Sequence, residues 1–331
     1  MWSYLVRRLL YYIPLYLCIL LALMLLLRID VDSAVAAQLG KNATPESIAA
    51  TKQSMGLDQP FYKQYGNFLW DVVTLSFDQR SWDQKRPVGE MIRDAIPPTM
   101  MITIPELLIT AVISIAVGLV CSFNRGRLLD RTLMIAAVLG MSVSYLVYII
   151  IGQYFGAYVL GQRMGITPFE IEGYSPIFPP LEGGGGAWFE PGNWVKYCAL
   201  PVIIGVIVAM GYDTRFYRAV MVEECTRDYI TTAVAKGATA KKIMFVHMLK
   251  NAMIPIVTRV MISLPFLIAG EILVEMYFNV PGMGRTMINA IISRDFPVVQ
   301  ATVAVFAAVV IITVILTDVC YAIVDPRVRL S

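Results

Sequence analysis

The sequence predicts an all-α integral membrane protein with about six transmembrane helices, and three observations predict it. Hydrophobic residues make up 57% of the 331 and charged residues only 15%, whereas a soluble domain carries roughly 25% charged residues. The apolar residues gather into runs long enough to cross a bilayer as helices. The basic residues gather at every second gap between those runs, as the positive-inside bias requires. A formal net charge of +3 is too small to point to nucleic acid as a partner; lipid is the expected solvent of most of the chain.

The first helix follows Arg7 and Arg8. Leu9 to Leu27 is an uncharged run of about 19 residues, enough for roughly 28 Å of helix, and Trp2, Tyr4, Tyr11 and Tyr12 suit the headgroup belt. A cleaved signal peptide fits the same pattern. The run is long for one, and no small-residue cleavage site follows at Arg28-Ile29-Asp30. A retained helix over 1–28 is therefore expected.

Residues 29–98 mix acids, bases and aromatics and read as a small folded cap outside the membrane. Thr44, Pro45 and Glu46 form a helix start with N-cap, first position and acidic first turn, and Gly56 reads as its stop. A second helix begins near Pro60, where Phe61, Tyr65, Phe68, Leu69 and Val72 recur on one face.

The rest, 99–331, holds five further apolar runs: Met100 to Val120, Thr132 to Leu160, Tyr197 to Tyr217, Ile254 to Phe278 and Ala301 to Ile323. The third run of the six is overlong. Six spans put both termini on one side. Arg7 and Arg8, the turn with Arg125, Arg127 and Arg131, the basic island after Arg215, and Arg327 with Arg329 then share a face, which the charge bias makes cytoplasmic. The loop from Gly161 to Lys196 on the other face carries Glu170, Glu172, Glu182 and Glu190. Gly152-xxx-Gly156 and Gly205-xxx-Ala209 mark close helix contacts.

Ionisable residues inside spans must face protein or water. Glu106, Arg259, Glu271, Glu275 and Asp318 are of this kind, with Arg259 near enough to the cytoplasmic end to snorkel. Glu271, Glu275 and Arg259 are the candidate substrate-pathway residues. Two carboxylates one turn apart also suit a metal or a proton relay, but no third ligand is visible. No metal site is assigned.

Catalytic chemistry finds little support. The five cysteines form no CxxC pair, His247 is the only histidine, and no HExxH or GxSxG occurs. Gly183 to Gly186 lacks the Lys-Ser/Thr of a phosphate-binding loop. The Asn42-Ala43-Thr44 sequon matters only in a glycosylating pathway. A non-catalytic protein is expected, with no cofactor of its own.

The island between the fourth and fifth spans, 218–253, is more than a solvated loop. Asp228 to Lys250 favours helix, with Gly237 breaking the run before Ala238-Thr239-Ala240-Lys241-Lys242. Two helical arms with a bend between them follow.

This island resembles the cytoplasmic EAA loop of ABC importer permeases, in the form of the B-type subunits of dipeptide/oligopeptide systems. The resemblance rests on Asp228-Tyr229, Ala233, Ala235-Lys236-Gly237-Ala238, Asn251-Ala252 and Ile254-Pro255. It extends upstream through Met55-Gly56-Leu57-Asp58-Gln59-Pro60, Arg86-Pro87-Val88 and Ile96-Pro97-Pro98-Thr99. Downstream it takes in Glu271 to Glu275, Pro281-Gly282-Met283-Gly284, Arg294 to Gln300 and Asp325-Pro326-Arg327. Thr231 and Thr232 stand where the general signature has glutamate and alanine, and Leu75 to Ser81 lacks the usual Gly-Asp-Leu-Gly.

The resemblance implies a type I ABC importer permease fold in a bacterial inner membrane. It implies a second, usually different, permease subunit, two ATPase subunits carrying ATP and Mg, and an extracytoplasmic solute-binding protein. It makes the island an ATPase-coupling segment, with Asp228, Tyr229, Thr231, Ala233, Lys236, Gly237, Ala238, Thr239, Lys241, Lys242 and Pro255 as its residues. Di- and oligopeptides are the expected solutes; nickel, oligosaccharides, glutathione and opines are the alternatives. An autonomous secondary transporter or channel is a separate reading, for which inverted repeats or paired broken helices are the missing signs.

Overall fold

The computed structural model describes residues 2–29, 31–40, 43–164, 168–175, 191–265 and 271–324, without the side chains of 2–6, 9, 164, 318 and 321–324. The side chains of Trp2, Tyr4 and Asp318, and Asn42, Glu182, Gly183 to Gly186, Glu190 and Asp325 to Arg329, lie outside the described residues. All regular structure among those residues is helical.

Helix α1 (Trp2–Arg28) leads into three short helices, α2 (Val31–Leu39), α3 (Pro45–Ser54) and α4 (Phe61–Thr74). Thr44 caps α3 reciprocally with Ser47: the Ser47 amide donates to Thr44 Oγ1 at 3.2 Å and the Thr44 amide to Ser47 Oγ at 2.8 Å. Gly56 ends that turn at φ +69, a conformation glycine adopts without steric cost. The apolar face of α4 lies where its spacing puts it, with Phe68 buried and Phe61, Tyr65, Leu69 and Val72 packed around Leu20 and Met24 of α1. Tyr65 also donates to the Leu17 carbonyl at 2.8 Å.

Helix α5 (Val88–Phe123) is the spine of the molecule, and α6 (Leu128–Ser142) turns back beside it. The expected overlong span from Thr132 to Leu160 is two pieces. After α6 the chain enters α7 (Tyr145–Ile151), a π-helical stretch (Gly152–Val159) and α8 (Leu160–Met164), bent 91° from α6. The cause is local. Val143 and Ser144 take extended conformations at ψ 136 and 138, and the Tyr148 hydroxyl donates back to the Gly140 carbonyl at 2.8 Å.

Helix α9 (Pro191–Cys225) packs along α5, the most extensive pairing in the structure. Small residues make it possible. A Cβ at Gly118 would sit 3.0 Å from that of Tyr217, one at Gly211 2.9 Å from the Ala137 carbonyl, and one at Gly156 3.0 Å from a Leu200 methyl. Added methyls at Gly152 and Gly205 would collide with Ile204 and with the Glu106 carboxyl. Backbones thus approach where dispersion replaces the hydrophobic drive available in water.

The island follows as α10 (Asp228–Ala235), α11 (Ala240–Lys242), a π-helical stretch (Ile243–Met248) and α12 (Leu249–Asn251). Helix α13 (Met253–Ser263) leaves it at 58°. The expected fifth span from Ile254 to Phe278 is also not one helix. Beyond the undescribed 266–270 comes a six-residue helix, α14 (Ile272–Tyr277). Glu271 before it is extended at ψ 95, and Asn279 after it is left-handed at φ 58. Helices α15 (Met283–Ile292) and α16 (Phe296–Val324) complete the chain, and Tyr16 of α1 donates to the Ala304 carbonyl of α16 at 2.9 Å.

Among the described residues, four helices are long and apolar enough to cross a membrane, and up to six if each bent pair counts as one span. The chain is an all-α membrane protein.

Candidate coupling and translocation sites

At the far end of α5 from helices α2–α4, the island forms a hook. Helix α10 ends in a Schellman turn: Gly237 stands at φ +75, its amide donates to the Val234 carbonyl at 2.9 Å, and the Ala238 amide donates to the Ala233 carbonyl at 3.1 Å. Thr239 then caps the second arm by accepting from the Lys242 amide at 3.4 Å. The break at Gly237 and the two arms are where the sequence puts them.

The hook has a buried base and an exposed apex. Ile230, Met248, Ala252 and Ile256 pack with Leu119 of α5 and with Tyr217 and Met221 of α9. Ala233 is also buried, Tyr229 and Ala238 are half-buried, and Pro255 sits in the first turn of α13, half-buried. Asp228, Thr231, Lys236, Gly237, Thr239, Lys241 and Lys242 are exposed, together with Val234, Phe245 and Val246. The Tyr229 hydroxyl donates to Glu224, and burial together with that acceptor pushes the phenol up to about 12. It remains a neutral donor at any physiological pH.

Midway along α5 a cavity of about 140 Å³ opens between α5, α9 and α13, with Glu106, Thr110, Asp213, Arg259 and Glu271 in its wall. Arg259 Nε donates to Asp213 Oδ1 at 2.8 Å. Arg259, near enough to the cytoplasmic end to snorkel, thus pairs with a carboxylate of α9 while staying partly exposed. Tyr145 donates to Glu271, and the Glu271 carboxyl lies against that of Glu106. Of the three expected pathway residues, the structure brings Glu271 and Arg259 to one cavity.

Glu275 is placed elsewhere. It is 1% exposed, accepts from Thr99 Oγ1 at 2.7 Å and from the Arg285 amide at 2.9 Å, and fills the space that a Cβ at Gly282 would take. Thr99 Oγ1 accepts in turn from the Met283 amide at 2.8 Å. This carboxylate ties α5 to the turn between α14 and α15.

Three further charged residues carry the frame and were not singled out from the sequence. Asp130 receives both Arg218 nitrogens at 2.6 Å, joining α6 to α9. Asp295 accepts from Ser81 and from the amides of Trp82 at 3.0 Å and Asp83 at 3.3 Å, fixing the loop before α5 to the start of α16. Asp213 lies inside a predicted span, so its charge alone signals a need for a partner. Among the described residues, no group of three or more His, Cys, Asp or Glu is placed to hold a metal ion.

Residues 114–330 match the family described as the binding-protein-dependent transport system inner membrane component, and residues 1–103 match its membrane-component N-terminal family. The chain belongs to this family. The permease is 32% identical over 330 residues to the glutathione transport system permease protein GsiC of Escherichia coli (strain K12), covering 99% of both chains. The GsiC protein of Shigella boydii serotype 4 (strain Sb227) matches at the same 32% and 99%. A Brucella abortus (strain 2308) protein, provisionally named as a peptide transport system permease, is 30% identical over 317 residues, 96% of each chain. The permease is accordingly a multi-pass inner-membrane subunit of a binding-protein-dependent ABC importer, a translocation component without catalysis of its own.

Proposed function

We propose that the permease imports di- or oligopeptides by alternating access, driven through the hook by separate ATPase subunits. The observation that carries the reading is the hook itself. Its base is packed into the ends of α5 and α9, while Val234, Phe245 and Val246, each 50% exposed or more, stand bare beside Lys236, Lys241 and Lys242. An apolar patch rimmed by charge suits a protein partner, and a base fused to two long helices turns a push on the apex into their movement.

Membership of the family supports the other parts. Both termini and the hook face the cytoplasm and the α2–α4 cap faces outward, in keeping with the charge bias. A second, different permease subunit completes the pathway, two ATPase subunits bind ATP and Mg, and a solute-binding protein delivers cargo to the outer side. Peptide is favoured as cargo because relatives along the whole length are named for peptide and for glutathione, itself a short peptide.

The test is transport by the importer reconstituted with its ATPases and binding protein. Gly237→Pro, which cannot adopt φ +75, and the double reversal Lys241→Glu/Lys242→Glu should each reduce peptide uptake at least tenfold while the permease still inserts. ATPase copurification should fall in parallel. Uptake by the permease alone, with no ATPase present, sinks the proposal.

A further inference from the structure

We propose that the cavity between α5, α9 and α13 is a transient binding site for the ammonium group of a solute in transit, held by Glu106 and Glu271. The proposal deepens the importer reading above: it rests on that reading for the solute's arrival and adds the chemistry the pathway recognises.

Glu106 carries the inference. It is only 7% exposed, lines the cavity, and its Oε2 has no hydrogen-bond partner among the described residues. Buried polar atoms are normally satisfied, so an orphan oxygen on a carboxylate that lines a cavity calls for a partner. Two more orphans lie on the same stripe of α5, four and eight residues on: Thr110 Oγ1 and Ser114 Oγ. At 1.5 Å per residue they continue the line of acceptors about 6 and 12 Å along the helix.

Charge decides what the ligand is. Asp213 and Arg259 neutralise one another across the cavity, with Arg259 Nε 2.8 Å from Asp213 Oδ1. That leaves the Glu106 and Glu271 carboxyls side by side and hydrogen-bonded to one another, with the Tyr145 hydroxyl donating to Glu271. Two carboxyls this close hold a proton or a cation between them, and an ammonium can take the proton's place. An anion is excluded by the same charges. An ammonium supplies one positive charge and three donors, which suits two carboxylates and a hydroxyl. The cavity, about 140 Å³, has space for an ammonium head and the first carbons behind it, the volume of about four or five waters.

The site is built rather than incidental. A methyl added at Gly205 of α9 would collide with the Glu106 carboxyl, so a glycine there is what lets α9 close over an ionisable group. Packing alone does not need a carboxylate at this point. An apolar residue of the same size costs less inside a membrane.

Charge-selective labelling tests the proposal. In the full permease with its partner subunits, with Cys18, Cys121, Cys198, Cys225 and Cys320 replaced by serine, Ala209→Cys puts a thiol in the cavity wall. It is treated with methanethiosulfonate reagents bearing ethylammonium or ethylsulfonate, each rate normalised to a free thiol in solution. The ammonium reagent should react at least tenfold faster than the sulfonate, methylammonium should slow it, and Glu106→Gln with Glu271→Gln should bring the two rates within about twofold.

Leu107→Cys, on the same cavity, serves as the second reporter if Ala209→Cys does not insert. Equal rates before neutralisation, a preference that survives it, or protection by Mn2+ but not by methylammonium would each overturn the ammonium site. The third result would put a divalent cation there. Labelling needs only the inserted complex, so it fails independently of the transport assay that tests the importer reading.

Discussion

Two sets of buried carboxylates in this permease are used in opposite ways. Glu275, Asp295 and Asp130 each receive two or more donors, and each joins elements far apart in the chain. Glu106 is also buried but leaves an oxygen unpaired, and with the half-buried Glu271 it lines a cavity. Burial therefore does not tell the two sets apart. Satisfaction does: a carboxylate whose acceptors are all taken is part of the frame, and one with an oxygen to spare is free to meet something that moves.

The contrast breaks most easily at Glu275. Glu275→Ala removes the acceptor of Thr99 and of the Arg285 amide, and should cost roughly 3 kcal/mol, read as a fall in the melting temperature of the purified complex. A variant as stable as the parent would remove Glu275 from the frame. Gly282→Ala is next. Its methyl would enter the space of the Glu275 carboxyl, an overpacking worth about 1–3 kcal/mol, and α15 should show faster hydrogen exchange. Glu106→Gln should change least, by about 1 kcal/mol or less, since it breaks no complete set of hydrogen bonds. If Glu106→Gln proves as destabilising as Glu275→Ala, the two sets are one.

The sequence carries the local parts of this structure well. The one-sided spacing of Phe61, Tyr65, Phe68, Leu69 and Val72 gives α4 and the face it buries, Thr44 and Gly56 bracket α3, and Gly237 marks the hook's turn. The errors come where an apolar run is read as a straight rod. Hydropathy reports what surrounds a segment, not its direction, so two extended residues at Val143 and Ser144 suffice to bend the third span by 91° unannounced. The ionic frame is hidden for a different reason. Asp130 and Arg218 are 88 residues apart and Asp213 and Arg259 are 46 apart. The cost of an unpaired charge in a span announces that a partner exists, but only the fold says which.

Helix α9 is continuous from Pro191 to Cys225, and two of its close approaches, at Gly205 and Gly211, fall near its middle. A pivot at those two glycines would divide the helix into two nearly equal arms. From about Ala209 the arm to Cys225, next to the hook, is about 24 Å, and the arm to Pro191 is about 27 Å. If α9 moves as a rigid body, a sideways push of ~4 Å at the hook tilts it by about 10° and swings the opposite end by ~4.5 Å the other way. A beam pivoted at its centre reverses a displacement without diminishing it, so closing one face of the membrane and opening the other become a single motion.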